Sequence, residues 1–299
     1  MVIFMNEFKS YHPVVNFFYF FCVICFSCVF MHPVCLLISL SCGFLYYGIL
    51  KGKEAVVLYL KISLPTLVFT AILNPAFNHK GITVLTYLPS GNPLTSESVV
   101  YGICAAMMIV SVMAWFFCFN EVITSDKIIY LFGRIAPSLS LIFSMILRFV
   151  PKFSNQLKQV ANGQRCLNGG NQGGGVIKRA KCGLGIFSAT VTMALENSVE
   201  TADSMRAKGY GTAKRTSFSI FKFDSRDKKM LIFMVVSAGY IIFGKLLGAM
   251  KFEFFPELKG VKFTAISASF FAVYMLFCIC PVAIEVWEAK KWKYLKSKI

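Results

Sequence analysis

Residues 14–30 read VVNFFYFFCVICFSCVF, residues 31–33 read MHP, and residues 34–50 read VCLLISLSCGFLYYGIL. No Asp, Glu, Lys or Arg occurs anywhere in 14–50. Each run approaches the ~20 apolar residues that a helix needs to cross the hydrocarbon core of a bilayer. His32-Pro33 separates the two, because proline disfavours helical backbone in the residue before it. The first run is followed by a second one and not by a small-residue cleavage site with a polar chain behind it, so it reads as a span and not as a secretory signal.

The rest of the composition agrees with that reading. Of the 299 residues, 57% are apolar and 15% are charged, and the mean hydropathy is +0.65. Soluble globular chains carry about 25% charged residues. A soluble enzyme, a disordered chain and a collagen-like chain are thereby excluded. The net charge of +17 points to basic cytoplasmic segments and not to nucleic acid, because Lys and Arg are retained on the cytoplasmic side of multi-span proteins. Nine of the eleven cysteines lie in apolar runs, where cysteine behaves as a small hydrophobe. The spacing of Cys22, Cys25 and Cys28 would suit metal ligands on one helix face, but no His or carboxylate joins them.

Further spans follow from the same pattern. Lys51-Gly52-Lys53 is a basic turn, and 56–73 is a third apolar run that contains Lys61 and Pro65. Residues 74–98 change character. Turn signals at Asn74-Pro75, Asn78-His79-Lys80-Gly81 and Pro89-Ser90-Gly91-Asn92-Pro93 flank the β-branched stretch Ile82-Thr83-Val84-Leu85-Thr86-Tyr87-Leu88. This predicts an outer polar loop with a small hairpin. Residues 99–119, 230–250 and 263–287 are further spans, and 121–134 is amphipathic. The stretch 136–150 is apolar but short for a crossing, and parity makes it re-entrant or interfacial. Between 148 and 229 there are fifteen Lys or Arg against five acids, and 288–299 holds five lysines against one acid. Both segments are expected to be cytoplasmic, as is the N-terminus. The predicted fold is an all-α polytopic membrane protein with about six to seven membrane helices and a cytoplasmic helical coupling region. Its parts are N-terminal membrane helices in 1–150, coupling helices in 151–229, and C-terminal membrane helices with a basic tail in 230–299.

The cytoplasmic segment reads as helix, glycine break, helix. Residues 152–168 form a polar helix after Pro151, and 169–175 (GGNQGGG) a flexible connector. Residues 176–205 are helical in pattern. Gly209 and Gly211 follow as a glycine stop. At ~100° per residue, Phe187, Val191, Ala194, Val199, Ala202 and Met205 gather on one side, while Glu196, Glu200 and Asp203 lie opposite. Such a helix is either an ordinary soluble helix whose acids face water or one pressed by its apolar side on a protein or membrane face. Arg206 and Lys208 complement the dipole at its end. A cation held at a capped tip also suits an acidic groove on a partner.

Several chemistries fail. Residues 239–246, GYIIFGKL, approach a phosphate-binding loop, but Leu246 stands where the Mg²⁺-binding Ser or Thr belongs. His12, His32 and His79 are far apart, and no Ser/His/Asp arrangement can be argued. Asp and Glu are nearly absent from the spans, which counts against a proton-coupled transporter. No catalytic residue, metal site or bound cofactor is expected on this chain.

The segment from Ala194-Leu195-Glu196-Asn197 through Glu200-Thr201-Ala202-Asp203-Ser204-Met205-Arg206-Ala207-Lys208-Gly209-Tyr210-Gly211 resembles the transmembrane T component, or scaffold, of energy-coupling factor importers of vitamins and metal ions. Leu147-Arg148-Phe149-Val150-Pro151, Gln164-Arg165, Lys214-Arg215-Thr216, Tyr11-His12-Pro13, Asn74-Pro75 and Pro93-Leu94-Thr95-Ser96-Glu97 are similar as well. The resemblance implies a prokaryotic plasma-membrane scaffold. It joins two cytoplasmic ABC-type ATPase subunits, which carry ATP and Mg²⁺, to a small substrate-binding membrane subunit. Two coupling helices in that family end in Ala-Arg-Gly. The second such motif maps onto Ala207, Lys208 and Gly209, where lysine keeps the charge but lacks the planar fork of arginine. The first maps onto Cys166, Leu167 and Asn168 after Gln164-Arg165, without its arginine. The side Phe187–Met205 would face the substrate-binding subunit. Two other readings fit composition alone. One is a self-sufficient secondary transporter, with Lys61 and Lys245 as its intramembrane charges. The other is a membrane-anchored structural protein whose basic segment binds anionic lipid.

Overall fold

A computed structural model describes residues 7–78, 80–87, 93–167, 175–210, 212, 221–248, 250, 252–256, 260 and 264–296. These residues fall into two compact units. One joins the residues up to 125 with those from 221 on, and the other is drawn from 126–220.

The first unit holds the membrane helices. After the short α1 (Glu7–Ser10) come α2 (Pro13–Val29), α3 (Pro33–Lys51) and α4 (Lys53–Phe77). The hairpin β1 (Val84–Tyr87) and β2 (Pro93–Thr95) leads into α5 (Ser96–Val122). The second unit holds α6 (Ser125–Ile135, at its edge), α7 (Pro137–Leu167) and α8 (Val176–Ala207). The chain then returns to the first unit as α9 (Ser225–Leu246) and α10 (Ala265–Lys296). Among the described residues five helices are long and apolar enough to cross a membrane, and α2 is a shorter apolar helix. The protein is an all-α polytopic membrane protein.

The breaks between spans have local causes. His12-Pro13 and His32-Pro33 start α2 and α3 in the same way. Each histidine Nδ1 accepts the N–H two residues on, at 3.3 Å from Val14 and 3.2 Å from Val34, while proline occupies the first helical position. These two histidines are helix caps, as their place at span ends suggested; His79 lies outside the described residues. Gly52, at φ 78, ends α3 and begins α4.

Helix α3 packs on α5 and α10, α4 packs on α5, and α9 packs on α10. Gly102 lets α4 and α5 close up: a Cβ there would meet the Ala71 carbonyl at 3.0 Å. The core is aromatic, with Phe8, Tyr19, Tyr46, Trp115, Tyr274 and Phe277 fully buried. Several of its polar atoms are paired inside the bundle, as an apolar surrounding favours. The Trp115 indole N–H donates to Ser39 Oγ at 2.9 Å, Ser39 and Ser27 share a 2.7 Å bond, and the Tyr19 hydroxyl donates to the Cys278 carbonyl.

Three expectations need correction. Pro151 does not separate two helices: α7 runs through it. A proline removes one backbone N–H and disfavours the preceding turn, yet the exposed residues around it leave the freed carbonyl open to other donors. The boundary drawn at 150/151 therefore falls inside a helix about 46 Å long at 1.5 Å per residue, and 136–150 is its first half. Helix α4 extends past Asn74-Pro75 to Phe77, which shortens the loop that follows it. Helix α10 continues through the basic tail to Lys296, where Lys291 lies 5.3 Å from the Trp287 ring. The hairpin forms as predicted. Glu97, buried at the start of α5, fastens it by accepting from the Thr83 N–H, the Thr83 hydroxyl and the Ser96 hydroxyl.

Candidate functional site

The end of α8 is built by its sequence. Glycine is the residue that adopts φ > 0 without a Cβ clash, and Gly209 sits at φ 76. With Lys208 as C-cap, the Tyr210 N–H donates to the Met205 carbonyl at 3.1 Å and the Gly209 N–H to the Arg206 carbonyl at 2.9 Å. These are the two bonds of a Schellman motif. The Thr212 hydroxyl adds a 2.7 Å bond to the Gly209 carbonyl. The helix thus stops in one defined geometry, and Arg206, Ala207, Lys208 and Gly209 all stand exposed at its tip. Neither Arg206 nor Lys208 makes an ion pair or side-chain hydrogen bond among the described residues. Two unspent cations therefore project from a rigid end whose helix dipole favours positive charge there.

The first motif lies at the corresponding place on α7. Gln164, Arg165 and Cys166 occupy its last turn, Arg165 and Cys166 exposed and Gln164 half-buried. Leu167 is the last helical residue, and Asn168 lies outside the described residues. Both long helices of this unit thus end with an exposed arginine in the last turn.

The apolar side that the sequence singled out on α8 is distinct from the line on which the helix is least exposed. Phe187, Val191, Val199 and Ala202 are exposed, while Ala194 and Met205 are half-buried. The least exposed line is Ile186, Ala189, Thr190, Ala194, Asn197, Thr201 and Met205. It contains polar residues that a hydrophobicity count discards. They are satisfied within the helix: the hydroxyls of Thr190 and Thr201 donate to the carbonyls of Ile186 and Asn197, and the Asn197 amide donates to Met193. Such back-bonding to i−4 removes the penalty of packing a polar side chain. Helices α7 and α8 pack on each other, and the half-buried residues of α7, such as Phe149, Phe153, Gln156 and Val160, also fall on one line. Glu196, Glu200 and Asp203 are exposed.

The sequence reading passed over two buried acids in the first unit. Glu285 of α10, 2% exposed, accepts from the backbone N–H groups of Glu7 and Phe8 at 3.2 and 3.1 Å. Asp227, at the start of α9, accepts from the His12 N–H at 3.2 Å and closes a capping box with Asp224. Arg226 beside it lies 4.3 Å from the Tyr11 ring and donates to Ser10 Oγ. Together they staple residues 7–12 to α9 and α10. Their oxygens are engaged by backbone donors, which is an anchoring arrangement and not a proton path. Among the described residues no group of His, Cys, Asp and Glu is placed to hold a metal ion.

A multi-span helical bundle, together with a unit of long helices that end in exposed cations, defines a multi-pass membrane protein. The chain belongs to the CbiQ family, described as cobalt transport protein, which it matches over residues 8–218. The match takes in both motif regions. The chain is similar to the energy-coupling factor transporter transmembrane protein EcfT of Lactobacillus helveticus (strain DPC 4571), 29% identical over 105 residues that make up 35% of this chain and 38% of the relative. It is likewise similar to the protein of that name from Leuconostoc gelidum subsp. gasicomitatum, 30% identical over 91 residues, 30% of this chain and 34% of the relative. In both cases the match spans little more than a third of the relative's length. The family relation read from the Ala207-Lys208-Gly209 region is borne out.

Proposed function

We propose that the chain is the non-catalytic transmembrane scaffold of an ATP-driven importer of the energy-coupling factor type. In this reading two cytoplasmic ABC-type ATPase subunits, with ATP and Mg²⁺ bound to them, engage the tips of α7 and α8. The exposed apolar side of α8, from Phe187 through Val191 to Val199, carries a small substrate-binding membrane subunit. Cycling of the ATPases moves the two helices, and the helices tilt that subunit. Vitamins or metal ions are the cargo class, and specificity resides in the partner. The termini and the 126–220 unit lie on the cytoplasmic side of a prokaryotic plasma membrane.

The observation that carries this reading is the Schellman-capped end of α8, which presents Arg206 and Lys208 unpaired. Glycine stops are common at helix ends; what supports the reading is that this one holds two unpaired cations at the tip that matches the family's second coupling motif. Purification of the tagged chain in mild detergent tests it. Two ATPase subunits and a small hydrophobic protein are expected to co-purify. A chain that purifies alone and transports unaided in liposomes contradicts it.

A further inference from the structure

His32 sits where three elements meet. It caps α3, and its ring lies 4.8 Å from the ring of Phe271 in α10 and 5.5 Å from that of Phe252, in the segment between α9 and α10. It is 6% exposed. Its Nδ1 accepts the Val34 N–H at 3.2 Å, so the ring is held neutral with its proton on Nε2. Phe252 belongs to an aromatic cover. Its ring is 4.7 Å from that of Phe254, which is buried, lies 5.3 Å from the Tyr101 ring of α5 and clusters with Leu36 of α3. One imidazole thus fastens the α2–α3 turn to this cover.

A proton undoes that arrangement. The neutral ring has one free nitrogen lone pair, and here that lone pair is the cap. Once the ring is protonated both nitrogens are donors. The Val34 N–H, one of the first in α3 that the helix itself leaves unsatisfied, then loses its acceptor and faces a second N–H. The new charge also stands against hydrocarbon. The Phe271 ring face attracts a cation, yet it accepts no ordinary hydrogen bond. Among the described residues no carboxylate pairs with His32: Glu253 is exposed beside Phe252, Lys245 lies 5.7 Å from the Phe30 ring, Cys35 is buried on the next turn of α3, and none of the three bonds to the imidazole. Burial accordingly pushes the His32 pKa below the ordinary histidine value of 6.5. His12, the matching cap of α2, differs, because the Asp227 carboxylate accepts its backbone N–H at 3.2 Å.

We propose that His32 is an acid-released latch: a proton on Nδ1 uncaps α3 and drives the imidazole out from between Phe252 and Phe271, which loosens the Phe252–Phe254 cover at that end of the bundle. The folded state favours the neutral ring, so the contribution of His32 is complete above 6.5 and is lost as pH falls through the lower folded value. The latch is a property of the chain alone and requires no transport partner.

Hydrogen exchange of the purified chain in detergent, at about pH 7.5 and about pH 5 on either side of the histidine range and corrected for the intrinsic pH dependence, tests this. In the wild type, protection of the amides of Val34 and of residues 252–255 is expected to fall about fivefold at the acid pH. His32→Asn offers an amide oxygen that caps at either pH, and its protection in both segments is expected not to change with pH. Nitrogen-15 NMR of histidine-labelled wild type gives a check that needs no variant to fold: the His32 ring is expected as the Nε2–H tautomer with a titration midpoint below 6.5. The same acid response in wild type and His32→Asn, a midpoint of 6.5 or above, or a loss of protection confined to Val34 with 252–255 unchanged overturns the latch.

Discussion

Lys208 and Gly209 were legible because the glycine stop is local. Everything that fixes the tip lies between Ser204 and Thr212. Replacing Gly209 by Val puts a β-branched residue at φ 76, a left-handed conformation that costs L-residues about 1–2 kcal/mol. Hydrogen exchange at the Gly209 and Tyr210 amides is expected to speed up, while Gly209→Asn retains most of the protection. Glu285 and Asp227 were not legible. Their donors lie 277 and 215 residues away in sequence, at Phe8 and His12, and no periodicity joins residues at such distances. Glu285→Ala strands the buried Phe8 N–H, at ~1–3 kcal/mol, and the part-buried Glu7 N–H beside it. Its thermal unfolding midpoint in detergent is expected to fall well below that of Glu285→Gln, which keeps an acceptor oxygen. Equal midpoints would show that the staple contributes nothing.

At the scale of elements, the sequence was strongest where apolar runs are long and weakest where polar residues share a packed face. Spans, the hairpin and the start of α8 followed from period and turn chemistry. The continuity of α7 through Pro151 did not, because the rule that proline ends helices is a tendency that flanking structure overrides. The packed line of α8 was not read, because Thr190, Asn197 and Thr201 hide their polarity in their own helix. A charge scan distinguishes the two faces. Thr190 is 6% exposed and Phe187 is 61% exposed. Thr190→Lys is expected to reduce folded yield and thermal stability by ~2 kcal/mol or more. Phe187→Lys is expected to change stability by less than about 0.5 kcal/mol while lowering capture of the substrate-binding subunit. A Phe187→Lys protein that unfolds would place Phe187 in the core.

On the whole-molecule scale, cysteine accessibility reports how the two units sit with respect to water. Cys166 and Cys182 are exposed on α7 and α8, whereas Cys35, Cys42, Cys118 and Cys278 are buried in the bundle. In sealed inside-out vesicles a membrane-impermeant maleimide is expected to label Cys166 and Cys182 and spare those four. Labelling of Cys166 or Cys182 in sealed right-side-out cells would invert the topology. This expected layout rests on charge, since the excess of Lys and Arg between 148 and 229 outweighs every other segment. The central claim is that the cationic tip of α8 seats in an ATPase partner. The most direct test is the amount of ATPase subunit retained by tagged wild-type chain and by Lys208→Glu, at equal loading and matched gel-filtration profiles. The account predicts retention lower by about tenfold or more for Lys208→Glu, with recovery in Lys208→Arg. Equal retention by wild type and Lys208→Glu would contradict it.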